Sequence, residues 1–194
     1  MFDLIILGGG RASRMGGGQK LARLLHGRRL IDWLLADAHA IGARPIVVAP
    51  DDLELESGIS RALEDPPFGG PVAGIAAALA LCRSELVGIV GGDAPLAARV
   101  LPVLADQLGE HDAVLAQTPD GQRQQLLAVI RREALERAVA ALDTPRDKSV
   151  RAMYRGLDCG TVDVPAWTMD ADSPADLAQL SELSRHVIAS DELG

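Results

Sequence analysis

Apolar residues along this 194-residue chain follow two patterns that take turns. One is the short unbroken run: Leu4, Ile5, Ile6 and Leu7, then residues 45–49 (PIVVA), then 86–90 (LVGIV). Runs of four or five apolar residues bounded by Gly, Pro or polar residues describe strands covered on both faces. The other pattern recurs every three or four residues. Leu30, Ile31, Leu34, Leu35, Ala38 and Ile41 fall on one face of a helix over 30–41, and Val72, Ile75, Leu79 and Cys82 do the same over 70–82. Leu101, Leu104 and Leu108 predict a helix after the third strand. Residues 113–116 (AVLA) and 126–132 (LLAVIRR) predict further strands, helices over 133–142 and 149–154 follow, and 160–164 (GTVDV) is the last strand.

The final helix has the clearest start. Ser173 caps it, Pro174 suits its first position, and Asp176 completes a capping-box-like pair, with Leu177, Leu180, Leu183 and Val187 as the expected apolar stripe. Strands alternating with helices predict an α/β fold: a doubly wound, mostly parallel, Rossmann-like sheet with helices on both faces. There is no internal repeat and no linker longer than a loop. Residues 1–190 are therefore expected to form one domain, with 191–194 as a frayed tail.

Composition narrows the function. A net charge of −8 disfavours a nucleic-acid-binding surface, and 3% aromatic residues leave few stacking platforms for single strands. No run approaches 18 apolar residues and no basic-plus-apolar leader opens the sequence, so we expect a cytoplasmic protein that makes no membrane contact. Cys82 and Cys159 lack metal-type spacing and suit a reducing compartment. His26, His39, His111 and His186 are scattered and read as surface or packing residues without partners.

Against that acidic background, residues 4–20 (LIILGGGRASRMGGGQK) place Arg11, Arg14 and Lys20 among glycines just past the first strand. Glycine lets several backbone N–H groups approach one anion, and the cations add charge that a tight turn does not require. A polyphosphate is the natural ligand. The spacing is not that of a P-loop, because Gln19 separates Gly18 from Lys20 and Leu21 follows. Nor is it a dinucleotide fingerprint, because Ser13 takes the third glycine's place. Lys20 is expected to have little packing of its own.

Three other segments carry chemistry. In residues 64–74 (EDPPFGGPVAG), Gly69, Gly70 and Gly74 clear space at a helix start, and Asp65 could accept from a ribose or base, or simply be solvated. In residues 88–96 (GIVGGDAPL), Asp93 ends an apolar strand, where a carboxylate either holds Mg²⁺ or caps the helix beginning near Leu96. In residues 169–177 (MDADSPADL), Asp170 and Asp172 alternate, so extended backbone turns both the same way; they either share a cation or decorate a helix entrance.

Together these segments resemble the small nucleotidyltransferases, and among them the molybdenum cofactor guanylyltransferases. The first loop is similar to LAGGxxxRMGxDK at Leu7, Gly9, Gly10, Arg14, Met15, Gly16, Gly17 and Lys20, with Gly8 in place of the usual alanine and Gln19 in place of an acid. Gly70, Pro71, Val72, Ala73 and Gly74 match GPLAG, and Gly92, Asp93 and Pro95 match GDxP. Residues 170–177 resemble the DxDTPEDL form, and the likeness runs over roughly residues 2–183. Ala49 stands where an asparagine that touches nucleotide is common, and Gln125 replaces a proline.

The resemblance implies transfer of GMP from GTP to molybdopterin with release of pyrophosphate, dependent on Mg²⁺ or Mn²⁺. It implies Lys20, Arg14 and Asp93 as catalytic residues, and Leu7, Gly8, Gly9, Gly10, Lys20, Asp65, Gly70 and Asp93 as nucleotide contacts. The metal would sit on Asp93. Ionised aspartates cannot donate to an anionic acceptor, so Asp172 is expected to face the metal too. The alternatives are cytidylyl transfer to molybdopterin, transfer to a sugar or lactate phosphate, and a catalytically silent nucleotide-binding subunit. Transient contacts with cofactor-synthesis proteins or molybdoenzymes are compatible with the first reading.

Overall fold

The structure is a computed structural model that describes residues 2–8 and 20–191, the last three by backbone alone. Its strands are β1 (Asp3–Leu7), β2 (Leu24–Leu25), β3 (Arg28–Arg29), β4 (Arg44–Val48), β5 (Ser60–Ala62), β6 (Leu86–Gly91), β7 (Ala113–Gln117), β8 (Arg123–Arg131) and β9 (Cys159–Asp163). Its α-helices are α1 (Leu30–Ala40), α2 (Pro71–Leu79), α3 (Leu101–Asp106), α4 (Arg132–Ala140), α5 (Val150–Met153) and α6 (Pro174–Asp191). Short 3₁₀ turns at Ala97–Val100 and Ala166–Thr168 complete the series.

Seven strands form one sheet in the order β5-β4-β1-β6-β8-β7-β9. β5, β4, β1 and β6 run parallel, as do β7 and β9, while β8 is antiparallel to both of its neighbours. Alternate residues of β1 enter opposite layers. Leu4 and Ile6 meet Ile31, Leu34 and Leu35 of α1 and Leu101 and Leu104 of α3, while Ile5 and Leu7 meet Val72 and Ile75 of α2 and Leu135 of α4. Burial on both faces explains why β1 reads as a continuous apolar run. At its start, buried Asp3 accepts from Arg44 Nε (2.7 Å) and from the backbone N–H groups of Arg83 (2.5 Å) and Ser84 (2.7 Å). Burial works to raise this carboxyl, but those donors outweigh it and hold the group below its ordinary value.

A third cluster, with Leu25, Leu30, Trp33, Leu96, Ala171, Leu180 and Ile188, joins the β2–β3 hairpin to α6. It corrects the expected stripe of α6: among the described side chains Leu180, Ser184 and Ile188 are the buried positions, while Leu183 and Val187 are only half-buried. The lone-histidine reading is corrected as well. His26 bonds Ser184 Oγ at 3.3 Å, and His111 Nδ1 lies 2.9 Å from Asp158. Cys82 behaves as a packing residue, with burial pushing its thiol up to about 12. Helix α6 reaches Asp191, one residue past the expected domain end. Among the described residues no helix is long and apolar enough to cross a membrane.

Candidate active site

From β1 the chain passes through α1 to β4 on one side, and from β5 it returns through α2 to β6 on the other. The carboxyl ends of β1 and β6 therefore flank the switch point, where open α/β sheets bind ligands. Gly92 N donates to Leu7 O at 2.9 Å and Gly8 N to Val48 O at 2.8 Å, so three strand ends are tied together there. Gly8 and Gly92 are glycines because Leu21 lies over both. A Cβ on Gly8 would stand 2.5 Å from Leu21 Cδ1 and 2.8 Å from Val48 O; one on Gly92 would stand 2.3 Å from Leu21 Cδ2. Leu21, which is 1% exposed, thus packs over the ends of β1 and β6 and fixes the backbone that carries its neighbour Lys20.

Lys20 Nζ lies 2.6 Å from Asp93 Oδ2 and 2.5 Å from Asp172 Oδ1. Burial works to lower the Lys20 pKa, but its bonds to Asp172 and Asp93 overcome that and raise it, so the side chain stays an ammonium. The expectation that Lys20 has little packing of its own left out its ion pairs, which tie it to residues 73 and 152 positions away. Asp93 does not cap the turn that follows: the residue before it is Leu96, and no side chain caps it. Asp170 belongs to the same electrostatic group. Desolvation, then the charges of Asp93 and Asp172, push its carboxyl up to about 6 against the pull of Lys20.

The strand of chain carrying these aspartates is held from three sides. Ala171 N donates to Asp93 O at 2.7 Å, Arg23 Nη1 donates to Asp172 O at 3.0 Å, and Ser173 and Asp176 form the expected reciprocal cap. Arg23 and Leu21 are the residues that sequence reasoning missed. Neither has a periodic partner, and the only signal was their adjacency to Lys20.

On the opposite wall, Gly70 precedes α2 with φ +88°, a conformation suited to glycine, and its carbonyl accepts from Gly74 N at 3.1 Å. Asp65 is exposed on the rim, and the acid that binds backbone there is its neighbour Glu64, accepting from Gly69 N at 3.1 Å. Leu7 and Gly8 stand at the end of β1, where the Gly8 N–H is engaged by Val48 O and the Leu7 carbonyl by Gly92 N. Gly9, Gly10 and Arg14 lie outside the described residues.

Two carboxylate oxygens converging on one cation position suit a hard cation such as Mg²⁺, which takes one or two carboxylates and fills its remaining positions with phosphate and water. Among the described residues no cluster of three or more acidic, His or Cys side chains forms a self-sufficient metal cage.

The profile of the MobA-like NTP transferase domain matches residues 4–162, which carry the whole parallel half of the sheet and Asp93. The chain belongs to that family. MobA-like relatives include a molybdenum cofactor guanylyltransferase of Vibrio parahaemolyticus, 27% identical over 92% of this chain and 94% of its own length. Another, from Pseudomonas putida, is 31% identical over 83% and 88%. The MobA-like fold is shared with molybdopterin-guanine dinucleotide biosynthesis protein A of Archaeoglobus fulgidus (TM-score 0.66, 21% identity, 97% of this chain and 99% of that one). It is shared equally with 2-C-methyl-D-erythritol 4-phosphate cytidylyltransferase of Thermus thermophilus (TM-score 0.70, 18% identity, 95% and 100%).

Proposed function

We propose that this protein transfers GMP from GTP to the terminal phosphate of molybdopterin. An acceptor phosphate oxygen attacks the α-phosphorus, the bond to the β-phosphate oxygen breaks, and pyrophosphate leaves with the bonding electrons. No protein base is needed, because a phosphate monoester is already anionic near neutral pH. The observation that carries the reading is Lys20, held as an ammonium by Asp93 and Asp172 at the switch point of the sheet.

The chain's own contribution is position and charge. Leu21 fixes Lys20 over the strand ends, and Arg23 and the Ser173–Asp176 cap fix Asp172. Lys20, together with Arg14 from the loop, offsets charge on the transferring and leaving groups. Asp93 and Asp172 would hold Mg²⁺ or Mn²⁺ with phosphate oxygens, and the metal supplies charge neutralisation there. The relatives named for guanylyl transfer support GTP as donor and molybdopterin as acceptor. The free thiols Cys82 and Cys159 support the cytoplasm as the compartment.

The test is pyrophosphate release from each of the four NTPs, with and without molybdopterin. GTP is expected to give the fastest release, dependent on molybdopterin. Faster release from CTP would assign the protein to cytidylyl transfer, and release that ignores molybdopterin would point to another acceptor.

A further inference from the structure

The chain has two Phe, two Trp and one Tyr, and four of the five rings are fully or partly buried. Phe68 is 60% exposed and sits at φ +67°. A bulky side chain in the left-handed region is strained, and this one recovers little of that cost by burial. Nor is its loop held loosely. Arg146 Nη1 donates to Pro66 O at 2.7 Å and Nη2 to Pro67 O at 3.3 Å, Glu64 accepts from Gly69 N, and Asp147 N donates to Gly69 O at 2.7 Å. Asp147 is itself left-handed, at φ +58°. Two separate segments are thus braced against each other in a way that presents one aromatic face to solvent.

The place matters as much as the strain. The loop follows β5, whose carboxyl end opens on the same side as those of β4, β1 and β6. It leads into α2, where a Cβ on Gly74 would stand 3.0 Å from Val48 Cγ1 and 3.3 Å from Leu7 Cδ2. The first turn of α2 therefore rests on the ends of β1 and β4, so the loop that carries Phe68 leads into the carboxyl end of the parallel strands, the end at which Lys20 meets Asp93.

We propose that Phe68 is a stacking platform for the planar heteroaromatic ring of a substrate bound at this end of the sheet. The inference rests on the nucleotidyl-transfer reading, which supplies two such rings, the donor's base and the acceptor's pterin. An exposed aromatic face on a rigid backbone gives contact area with little ordering of side chain or loop on binding.

The experiment titrates the full-length protein with GTP, and separately with free pterin followed by its own fluorescence, for wild type and for Phe68→Tyr, Phe68→Leu and Phe68→Gly. Phe68→Leu and Phe68→Gly are expected to weaken one of the two ligands by about 5- to 150-fold, the range of base–aromatic stacking, and Phe68→Tyr to stay within about twofold. The ligand affected identifies the ring. Phe68→Gly is also expected to raise the thermal midpoint by about 1–4 °C, because glycine adopts φ +67° without strain. Unchanged binding of both ligands in Phe68→Leu overturns this inference alone. Wild-type protein that binds neither ligand overturns it together with the reading on which it rests.

Discussion

Replacing Gly92 by alanine puts a methyl group into space that Leu21 fills. The new Cβ would lie 2.3 Å from Leu21 Cδ2 and 3.0 Å from the carbonyl oxygen of Leu7. The carbonyl has nowhere to go: it accepts from Gly92 N and ends a central strand whose Leu4, Ile5 and Ile6 are fully buried. Leu21 must move instead, yet its other methyl is seated against Gly8. Overpacking of this kind costs about 1–3 kcal/mol, which for a chain of this size lowers the thermal midpoint by roughly 2–4 °C per kcal/mol. Because Lys20 adjoins Leu21, its ammonium is displaced as well. A shift on the order of 1 Å in a positioning group costs about 10²-fold in turnover. The assay is GTP- and molybdopterin-dependent pyrophosphate release alongside a thermal melt. Adding Leu21→Val shortens the clashing side chain and should restore part of both losses, a coupling that separate effects would not show. Gly92→Ala with turnover within threefold of wild type and an unmoved melt would refute the role given to Leu21.

Lys20→Ala is expected to lower turnover by about 10²–10³-fold, as for loss of one preorganised charge-stabilising donor. It should also lower the melting temperature in low salt, because Asp93, Asp170 and Asp172 are left without their ammonium; an identical melt in low and high salt would count against the bridge. Asp93→Asn and Asp172→Asn should each weaken the Mg²⁺ dependence of GTP binding in a calorimetric titration, and an unchanged metal effect in both would remove the metal from this pair. Asp3→Asn should cost about 2 kcal/mol at neutral pH through weakened charge-assisted hydrogen bonds. Its carboxyl is held below the ordinary value when folded. The wild-type advantage is therefore full above the unfolded pKa, about 4, and fades as pH falls through the folded one. A gap between the two proteins that stays constant as pH falls from neutral to well below the unfolded pKa of about 4 would contradict this.

The central strands were legible because β1, β4 and β6 are buried on both faces and so leave unbroken apolar runs. Strand β5 was not, since Ser60, Arg61 and Ala62 make a three-residue edge with no apolar run. The direction of β8 was equally hidden: its first residues, Arg123 to Gln125, are polar, and reversing a strand leaves its apolar pattern unchanged. In the site, Lys20 and Asp93 stood out as strand-end chemistry and Ser173 as a cap. What could not be read was long-range closure. Nothing local says that Lys20 meets Asp172, that Arg23 holds the backbone beside it, or that Glu64 rather than its neighbour Asp65 binds the loop. Those contacts depend on which strand ends the topology brings together.

The most direct test of nucleotidyl transfer at this site follows the fate of GTP labelled at the α-phosphate, with a parallel sample labelled at the γ-phosphate, in the presence of molybdopterin and Mg²⁺. The account predicts that the α-label appears on molybdopterin as a guanine dinucleotide, that the γ-label leaves as pyrophosphate, and that Lys20→Ala slows both equally. A γ-label released as orthophosphate, or an α-label that never reaches molybdopterin, would contradict it.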